Sequence, residues 1–186
     1  MNLPNKLSML RICMVPVFVA LALVERQWAQ FAALAVFILA SVTDFLDGWI
    51  ARKYNLVTNF GKFIDPIADK LLVMSALVVL VGQGRMPSWA CILMLAREFA
   101  ISGLRLVAAE SGTVIAAGWL GKIKTVTQMA AVILILLLVP PQGEPLLGSS
   151  GKLIAEIVLY LSTAMTAISG IDYLRKGWPT VLKSGK

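Results

Sequence analysis

Six long apolar stretches separated by short polar or turn-rich segments dominate the pattern of the chain. They cover residues 11–24, 28–52, 60–82, 88–109, 119–139 and 152–174. A helix that crosses a bilayer needs about 20 predominantly apolar residues, so the pattern predicts six transmembrane helices. Pro and Gly clusters at 82–87 and 140–145 indicate two of the connections. We therefore predict an all-α integral membrane protein that forms a single domain over residues 1–186.

A short amphipathic segment, residues 3–10, precedes the first apolar stretch. Its leucines recur at helical spacing, and polar residues such as Asn5 and Lys6 lie between them. This pattern is typical of a helix in the membrane interface, so we expect a short interfacial helix before the first span. Basic residues followed by an apolar run are also typical of a signal peptide. A further full span follows at once, which favours a retained helix.

Composition supports a membrane protein and narrows its partners. The chain is 59% hydrophobic and 15% charged, with a mean hydropathy of +0.83, whereas soluble domains carry about 45–50% apolar and about 25% charged residues. The net charge of +7 fits anionic lipid headgroups or a phosphorylated substrate better than nucleic acid, which requires a soluble basic face. The chain has no histidine, so acid–base or metal chemistry must use carboxylates.

The distribution of basic residues predicts an orientation. With six spans, all Lys and Arg residues fall on one side except Arg26, Arg85 and Lys152. Because positively charged loops stay in the cytoplasm, we expect both termini on the cytoplasmic side.

Four aspartates lie at the predicted cytoplasmic ends of the second and third spans: Asp44, Asp47, Asp65 and Asp69. An ionisable residue within a span costs at least about 2.5–3.5 kcal/mol on insertion scales. Four such residues within 26 positions therefore indicate a functional site.

Small residues accompany these carboxylates. On a helix, Gly48 and Ala51 share the face of the first aspartate pair, and Gly61 shares the face of the second. Carboxylates that converge there repel one another unless a cation is bound. Oxygen ligands select hard cations, Mg²⁺ or Mn²⁺, and four carboxylates suffice for two ions that bridge a pyrophosphate.

An alternative is that the aspartates form structural ion pairs with neighbouring cations: Arg52, Lys53, Lys62 and Lys70. Such pairs explain the charge balance. They do not explain why small residues share the acidic faces.

A second set of cations lies in or near the fourth and fifth spans: Arg97, Arg105, Lys122 and Lys124. Arg97 and Arg105 are about two helical turns apart and roughly share a face. Because arginine suits bidentate phosphate binding, we interpret the set as the site for a phosphorylated acceptor. The alternative is that long cationic side chains extend to the interface for topological reasons. Glu98 and Glu110 are expected to neutralise neighbouring cations.

The segment from Asp44 to Asp69 reads D-x2-D-G-x2-A-R-x8-G-x3-D-x3-D. It resembles the signature of the CDP-alcohol phosphatidyltransferases at all eight fixed positions. Residues 2–11, 96–105 and 121–125 are similar to the bacterial branch of that family that uses glycerol 3-phosphate.

The resemblance implies a reaction in which CDP-diacylglycerol and sn-glycerol 3-phosphate give phosphatidylglycerophosphate and CMP. It implies that all four aspartates ligate metal and that Asp69 is also the base that deprotonates the attacking hydroxyl. The residues expected to line the CDP pocket are Gly48, Ala51, Arg52 and Gly61, with Asn5 and Thr43 as weaker candidates.

The resemblance also implies partners and a location. We expect CDP-diacylglycerol, sn-glycerol 3-phosphate and membrane lipids as partners, a homodimer, no nucleic acid, and a bacterial inner membrane with the active site facing the cytoplasm. Another acceptor remains an alternative, namely inositol phosphate, serine or phosphatidylglycerol. An ion-coupled transporter is a further alternative, although it favours carboxylates near the bilayer midplane and a broken helix.

Overall fold

Six helices make up the computed structural model, which describes residues 3–53, 59–110 and 118–184, with the side chains of 5–44, 53, 64, 67, 68, 70–110 and 118–177. The helices are α1 (Leu3–Leu23), α2 (Gln27–Lys53), α3 (Asn59–Gly82), α4 (Ser88–Glu110), α5 (Trp119–Leu138) and α6 (Gly148–Ser184). No strand occurs within these ranges. The predicted all-α class is confirmed.

Four helices within the described ranges are long and apolar enough to cross a membrane. Their candidate spans are Asn5–Leu23, Gln27–Asp44, Trp119–Leu138 and Gly148–Gly177, and Lys70–Gly82 is a shorter apolar helix. Many large apolar side chains point outward, including Trp28, Ile92 and Leu106, which suits a bundle surrounded by lipid. Helix α4 falls outside this group since it carries four charged residues between its middle and its end. Within the described residues, the structure therefore supports a membrane protein with four candidate spans, and the number six stays a prediction.

The N-terminal segment differs from the sequence-based expectation. Residues 3–10 are not a separate interfacial helix, because α1 runs without interruption from Leu3 to Leu23. Asn5, Ser8 and Arg11 are buried within the protein, whereas Leu10 is exposed. The polar face of this segment thus packs against the other helices instead of facing headgroups, and the prediction of a separate helix is wrong.

The helices form an up-and-down bundle with two groups of contacts. Helix α1 packs against α2 and α3, and α6 packs against α4 and α5, while α2–α5 and α3–α4 contacts join the groups. Phe18 and Phe37 lie at the centre of the core, with ring centroids 5.7 Å apart. Contacts between the helices place the start of α1 beside the later part of α2, the ends of α1 and α3 together, and the end of α5 beside the start of α2. Helices α4 and α6 run in the same direction, since they pair residues in the same order along the two helices. The first residues of α1, α3 and α5 therefore lie at the same end as the last residues of α2, α4 and α6.

At the end of the bundle where α5 ends, side chains from other parts of the chain donate hydrogen bonds to the last backbone carbonyls of α5. The carbonyl of Leu136 cannot accept the usual helical bond because residue 140 is proline, which has no N–H. The Gln30 side chain of α2 donates to this carbonyl and to that of Val139. Arg85, in the α3–α4 connection, donates to the Ile135 carbonyl. Burial lowers the pKa of Arg85 to about 10, which leaves it charged at neutral pH.

Replacement of Gln30 should therefore destabilise the bundle. In the variant Gln30→Leu, the Leu136 carbonyl loses its donor, and we expect a loss of about 1–3 kcal/mol in the free energy of unfolding. Denaturation of the purified protein in detergent measures this loss. Gln27→Leu is the matched control, since Gln27 is exposed in the first turn of the same helix. Equal stability of the two variants would contradict the assignment.

Candidate active site

A cavity of about 550 Å³ lies between α2, α3, α4, α5 and α6. Its lining comes from the second half of α2, the middle of α3 and α4, the first half of α5 and the late part of α6. This volume is within the range of small-molecule sites. Its polar lining residues are Ser41, Asp44, Lys70, Arg97, Glu98, Arg105, Lys122, Lys124, Thr125, Gln128 and Tyr173.

The cavity contains all four cations that were predicted to bind the acceptor. Arg97 and Arg105 both line it from α4, as their shared helical face predicts, with Ile101 between them. Lys122 and Lys124 line it from the first turns of α5. The first and last residues of this set, Arg97 and Lys124, are 27 positions apart in the sequence. The packing of α4 and α5 beside α6 brings them together.

Arg97 is held between three helices. Its Nη1 donates to Glu98 Oε1 at 3.3 Å, and its Nη2 donates to Ser169 Oγ of α6 at 2.6 Å. Gly170 makes room for the side chain, since a Cβ there would lie 3.1 Å from Arg97 Cγ, whereas a Cβ at Gly121 of α5 would lie at an ordinary contact distance of 3.8 Å from Nη2. The Nε of Arg97 is buried and has no hydrogen-bond partner in the described part of the chain. One donor of this guanidinium therefore remains available to an anion.

Glu98 links the cations of α4 and α5. Lys124 is 3% exposed and forms an ion pair with Glu98 Oε1, the same oxygen that Arg97 contacts. The backbone carbonyl of Glu98 accepts a bond from Ser102 Oγ at 2.6 Å. Lys70 of α3 donates to the same Ser102 hydroxyl. Arg97 and Lys124 thus contact the carboxylate of Glu98, and Lys70 contacts the next turn of α4 through Ser102.

Arg105 and Lys122 complete the set nearer to its exposed side. Arg105 Nε donates to Tyr173 Oη of α6 at 2.9 Å, and its guanidinium carbon lies 5.3 Å from the centre of the same ring. The hydroxyl and the ring face together fix this guanidinium. Lys122 is exposed, and its Nζ lies 5.5 Å from the ring centre of Trp119.

Asp44, the first carboxylate of the acidic motif, lines the same cavity. Its Oδ1 lies 2.7 Å from Nη1 of Arg11, which is fully buried on α1. Among the described side chains, the ion-pair partner of Asp44 therefore comes from another helix, and Lys70 contacts Ser102. Arg52 and Lys62 lie outside the described side chains, so the alternative of local ion pairs stays a prediction. Arg11 fixes the carboxylate and offsets its charge.

The other motif residues lie outside the described side chains: Asp47, Gly48, Ala51, Arg52, Gly61, Asp65 and Asp69. Their predicted roles stay predictions. Of the weaker CDP-pocket candidates, Asn5 is buried on α1, and Thr43 donates to the Ala40 carbonyl at 2.8 Å. Within the described residues no group of three or more potential ligands forms a metal site. The carboxylate chemistry of the motif nevertheless suits a hard divalent cation.

Several residues of the cavity were not identified from the sequence. Ser169 and Tyr173 are buried polar residues four positions apart on α6, and each bonds an arginine of α4. The spacing of these two polar residues on one face of an apolar helix was the signal that could have placed them at the site. The partnership of Arg11 with Asp44 carried no comparable signal in the sequence.

The fold and the cavity together define a class of protein. It is an all-helical membrane protein that gathers cations and a carboxylate at one end of its bundle, where an anionic substrate can bind. The model of the family described as CDP-alcohol phosphatidyltransferase matches residues 1–168. The chain belongs to this family.

Curated relatives are similar over nearly the whole chain. The CDP-diacylglycerol–glycerol-3-phosphate 3-phosphatidyltransferase of Bacillus subtilis (strain 168) is 43% identical over 98% of both chains. The protein of the same name from Rickettsia typhi is 41% identical over 94% of this chain and 96% of its own length. A probable phosphatidylglycerophosphate synthase of Mycobacterium tuberculosis is 41% identical over 94% of this chain and 81% of its own length.

Proposed function

We propose that the protein transfers the phosphatidyl group of CDP-diacylglycerol to sn-glycerol 3-phosphate and releases CMP. One observation carries this proposal: Asp44 of the family motif and the four predicted acceptor cations line a single cavity. The names of the Bacillus and Rickettsia relatives describe the same transfer. The product is phosphatidylglycerophosphate.

The acceptor phosphate binds among Arg97, Arg105, Lys122 and Lys124. Arginine forks and lysine ammonium groups are the usual donors to phosphate oxygens. The unpartnered Nε of Arg97 and the exposed ammonium group of Lys122 supply donors that the described protein side chains do not saturate. Glu98 is the carboxylate that pairs with this cluster among the described residues, so an acceptor that lacks a phosphate would leave four cations facing one negative charge, at a cost that rises with burial.

The lipid donor has a polar head and two acyl chains, and the cavity offers both environments. Val73, Met74 and Leu77 of α3 face the cavity together with Leu95 and Met129. This apolar side suits the start of the acyl chains. The residues expected to hold the nucleotide come from the family motif: Gly48, Ala51, Arg52 and Gly61. Two weaker candidates are Thr43, which directly precedes the motif, and Asn5 of α1.

Transfer begins when a hydroxyl of glycerol 3-phosphate attacks the phosphorus that carries diacylglycerol. Asp69 takes the hydroxyl proton, the new P–O bond forms, and the bond to the cytidylyl phosphate breaks so that CMP leaves. Two divalent ions, Mg²⁺ or Mn²⁺, held by Asp44, Asp47, Asp65 and Asp69, would offset the charge of the diphosphate. Arg11 keeps Asp44 oriented toward the cavity through the contact of 2.7 Å.

We also propose a topology and an assembly. All six helices span a bacterial inner membrane, with both termini and the cavity on the cytoplasmic side, and residues 1–186 form one domain. The distribution of Lys and Arg between the two ends of the bundle supports this orientation. The family resemblance supports a homodimer.

The identity of the acceptor is tested by product formation. With CDP-diacylglycerol and Mg²⁺ or Mn²⁺, the purified protein should release CMP and form labelled lipid from radiolabelled glycerol 3-phosphate. Inositol phosphate carries the same anionic group and is the most demanding competitor, and serine and phosphatidylglycerol complete the panel. Release of CMP with one of these acceptors and none with glycerol 3-phosphate would refute the proposed substrate.

The role of Asp69 as base is tested by the variant Asp69→Asn. The amide cannot take the proton, so kcat should fall by at least about 100-fold, the usual range for a general base. The thermal midpoint in detergent should stay near that of the wild type. Asp172→Asn is the matched control because Asp172 pairs with Lys176 on α6, outside the cavity lining. Full activity of Asp69→Asn would exclude it as the base.

The role of Arg105 is tested through the two Michaelis constants. Loss of a charged donor to phosphate costs about 1.5–3 kcal/mol, so Arg105→Ala should raise the KM for glycerol 3-phosphate about tenfold or more. The KM for CDP-diacylglycerol should change little. Lys176→Ala serves as the control, since it removes an exposed cation of α6. Equal increases in both constants would argue against acceptor recognition by Arg105.

A further inference from the structure

Glu98 is a charged residue of the cavity to which the proposed reaction gives no role. Its side chain is 18% exposed, and its Oε1 contacts both Lys124 and Arg97. Both cations belong to the proposed acceptor site, so the same donors face a protein carboxylate and a substrate phosphate. The inference that follows rests on that proposed function.

The second acid among the described lining residues has a different partner. Asp44 pairs with Arg11 of α1, whereas Glu98 lies among the cations of α4 and α5. Lys124 is 3% exposed, and a buried ammonium group needs a counter-charge to remain charged in an apolar bundle. Glu98 supplies that counter-charge, and a phosphate that enters the cavity can supply it equally well.

The contacts of Ser102 and Lys70 hold the helical turn of Glu98 through its backbone and not through its carboxylate. Ser102 bonds the backbone carbonyl of Glu98, and Lys70 bonds the Ser102 hydroxyl. The carboxylate can therefore retreat from Lys124 by side-chain rotation while the backbone of α4 stays in place. Arg97 remains anchored by its separate bond to Ser169.

We propose that Glu98 competes with the acceptor phosphate for Lys124 and Arg97. When glycerol 3-phosphate binds, its phosphate replaces Glu98 as the ion-pair partner of Lys124. When the phosphorylated lipid leaves, the ion pair between Glu98 and Lys124 forms again. The carboxylate thus holds affinity for phosphate at a moderate level and assists release of a product that keeps the same phosphate group. Glu98 therefore sets the affinity of the site for phosphate and takes no part in the chemical step.

A purely structural role for Glu98 makes the opposite prediction. If the carboxylate only orients Lys124, its removal leaves the ammonium group badly placed, and phosphate binds more weakly. If it competes, its removal leaves the site one negative charge poorer, and phosphate binds more tightly. The sign of the change therefore separates the two roles.

The experiment measures binding of inorganic phosphate and of glycerol 3-phosphate to the full-length protein in detergent by calorimetry. We expect Glu98→Gln to lower both dissociation constants at least about threefold, a modest fraction of what one nearby unit charge contributes. The KM for glycerol 3-phosphate should fall as well, and kcat should fall because release of the product slows. The KM for CDP-diacylglycerol should stay within about twofold.

Two further variants keep the result interpretable. Glu110→Gln makes the same chemical change at an exposed position in the last turn of α4, and it should leave phosphate binding unchanged. Glu98→Asp keeps the charge but withdraws it from Lys124, so its affinity for phosphate should lie between those of the wild type and Glu98→Gln. This variant carries the test if Glu98→Gln does not fold.

The outcomes separate this inference from the proposed function. Weaker or unchanged phosphate binding by Glu98→Gln, with binding by the wild type intact, would overturn the competition and leave the acceptor site in place. No phosphate binding by the wild type would overturn both the competition and the placement of the acceptor site. The activity itself is decided separately by CMP release with glycerol 3-phosphate.

Discussion

Charged side chains in an apolar bundle need partners, and this constraint determines how the cavity is built. Arg11 reaches Asp44 from another helix, and Lys124 reaches Glu98 in the same way. Each pair joins two different helices. The free energy needed to bury one charge is offset only when the correct helix is in place. The pairs therefore specify the packing of the helices as well as the chemistry of the site.

Two groups of helices contribute different kinds of residue to the cavity. Helices α2 and α3 contribute the acidic motif, while α4, α5 and α6 contribute the cations and the groups that hold them. The contacts between the groups are fewer than those within them. On the proposed function, the lipid donor and the phosphorylated acceptor would be recognised by these separate groups of helices.

Much of this architecture follows from short-range properties of the sequence. Hydropathy predicted the six helices because a buried or lipid-facing helix leaves a continuous apolar signal. The shared face of Arg97 and Arg105 followed from helical spacing alone. The burial of Asn5 and Ser8 did not, because the same spacing describes a helix whose polar face contacts headgroups or protein. The bonds of Ser169 and Tyr173 join residues about 70 positions apart, and only the packing of α4 against α6 brings them together.

Helix α4 carries a consequence for the assembly of the protein during synthesis. It has two arginines and two glutamates from its middle to its end, so it partitions poorly into lipid by itself. The groups that satisfy Arg97 and Arg105 lie on α6, and the ribosome makes that helix last. On the proposed topology, α4 has to wait beside the insertion machinery, or at the membrane surface, until α5 and α6 arrive. Helix α6 then acts as an intramolecular chaperone for a helix whose last residue is made 74 residues before its own.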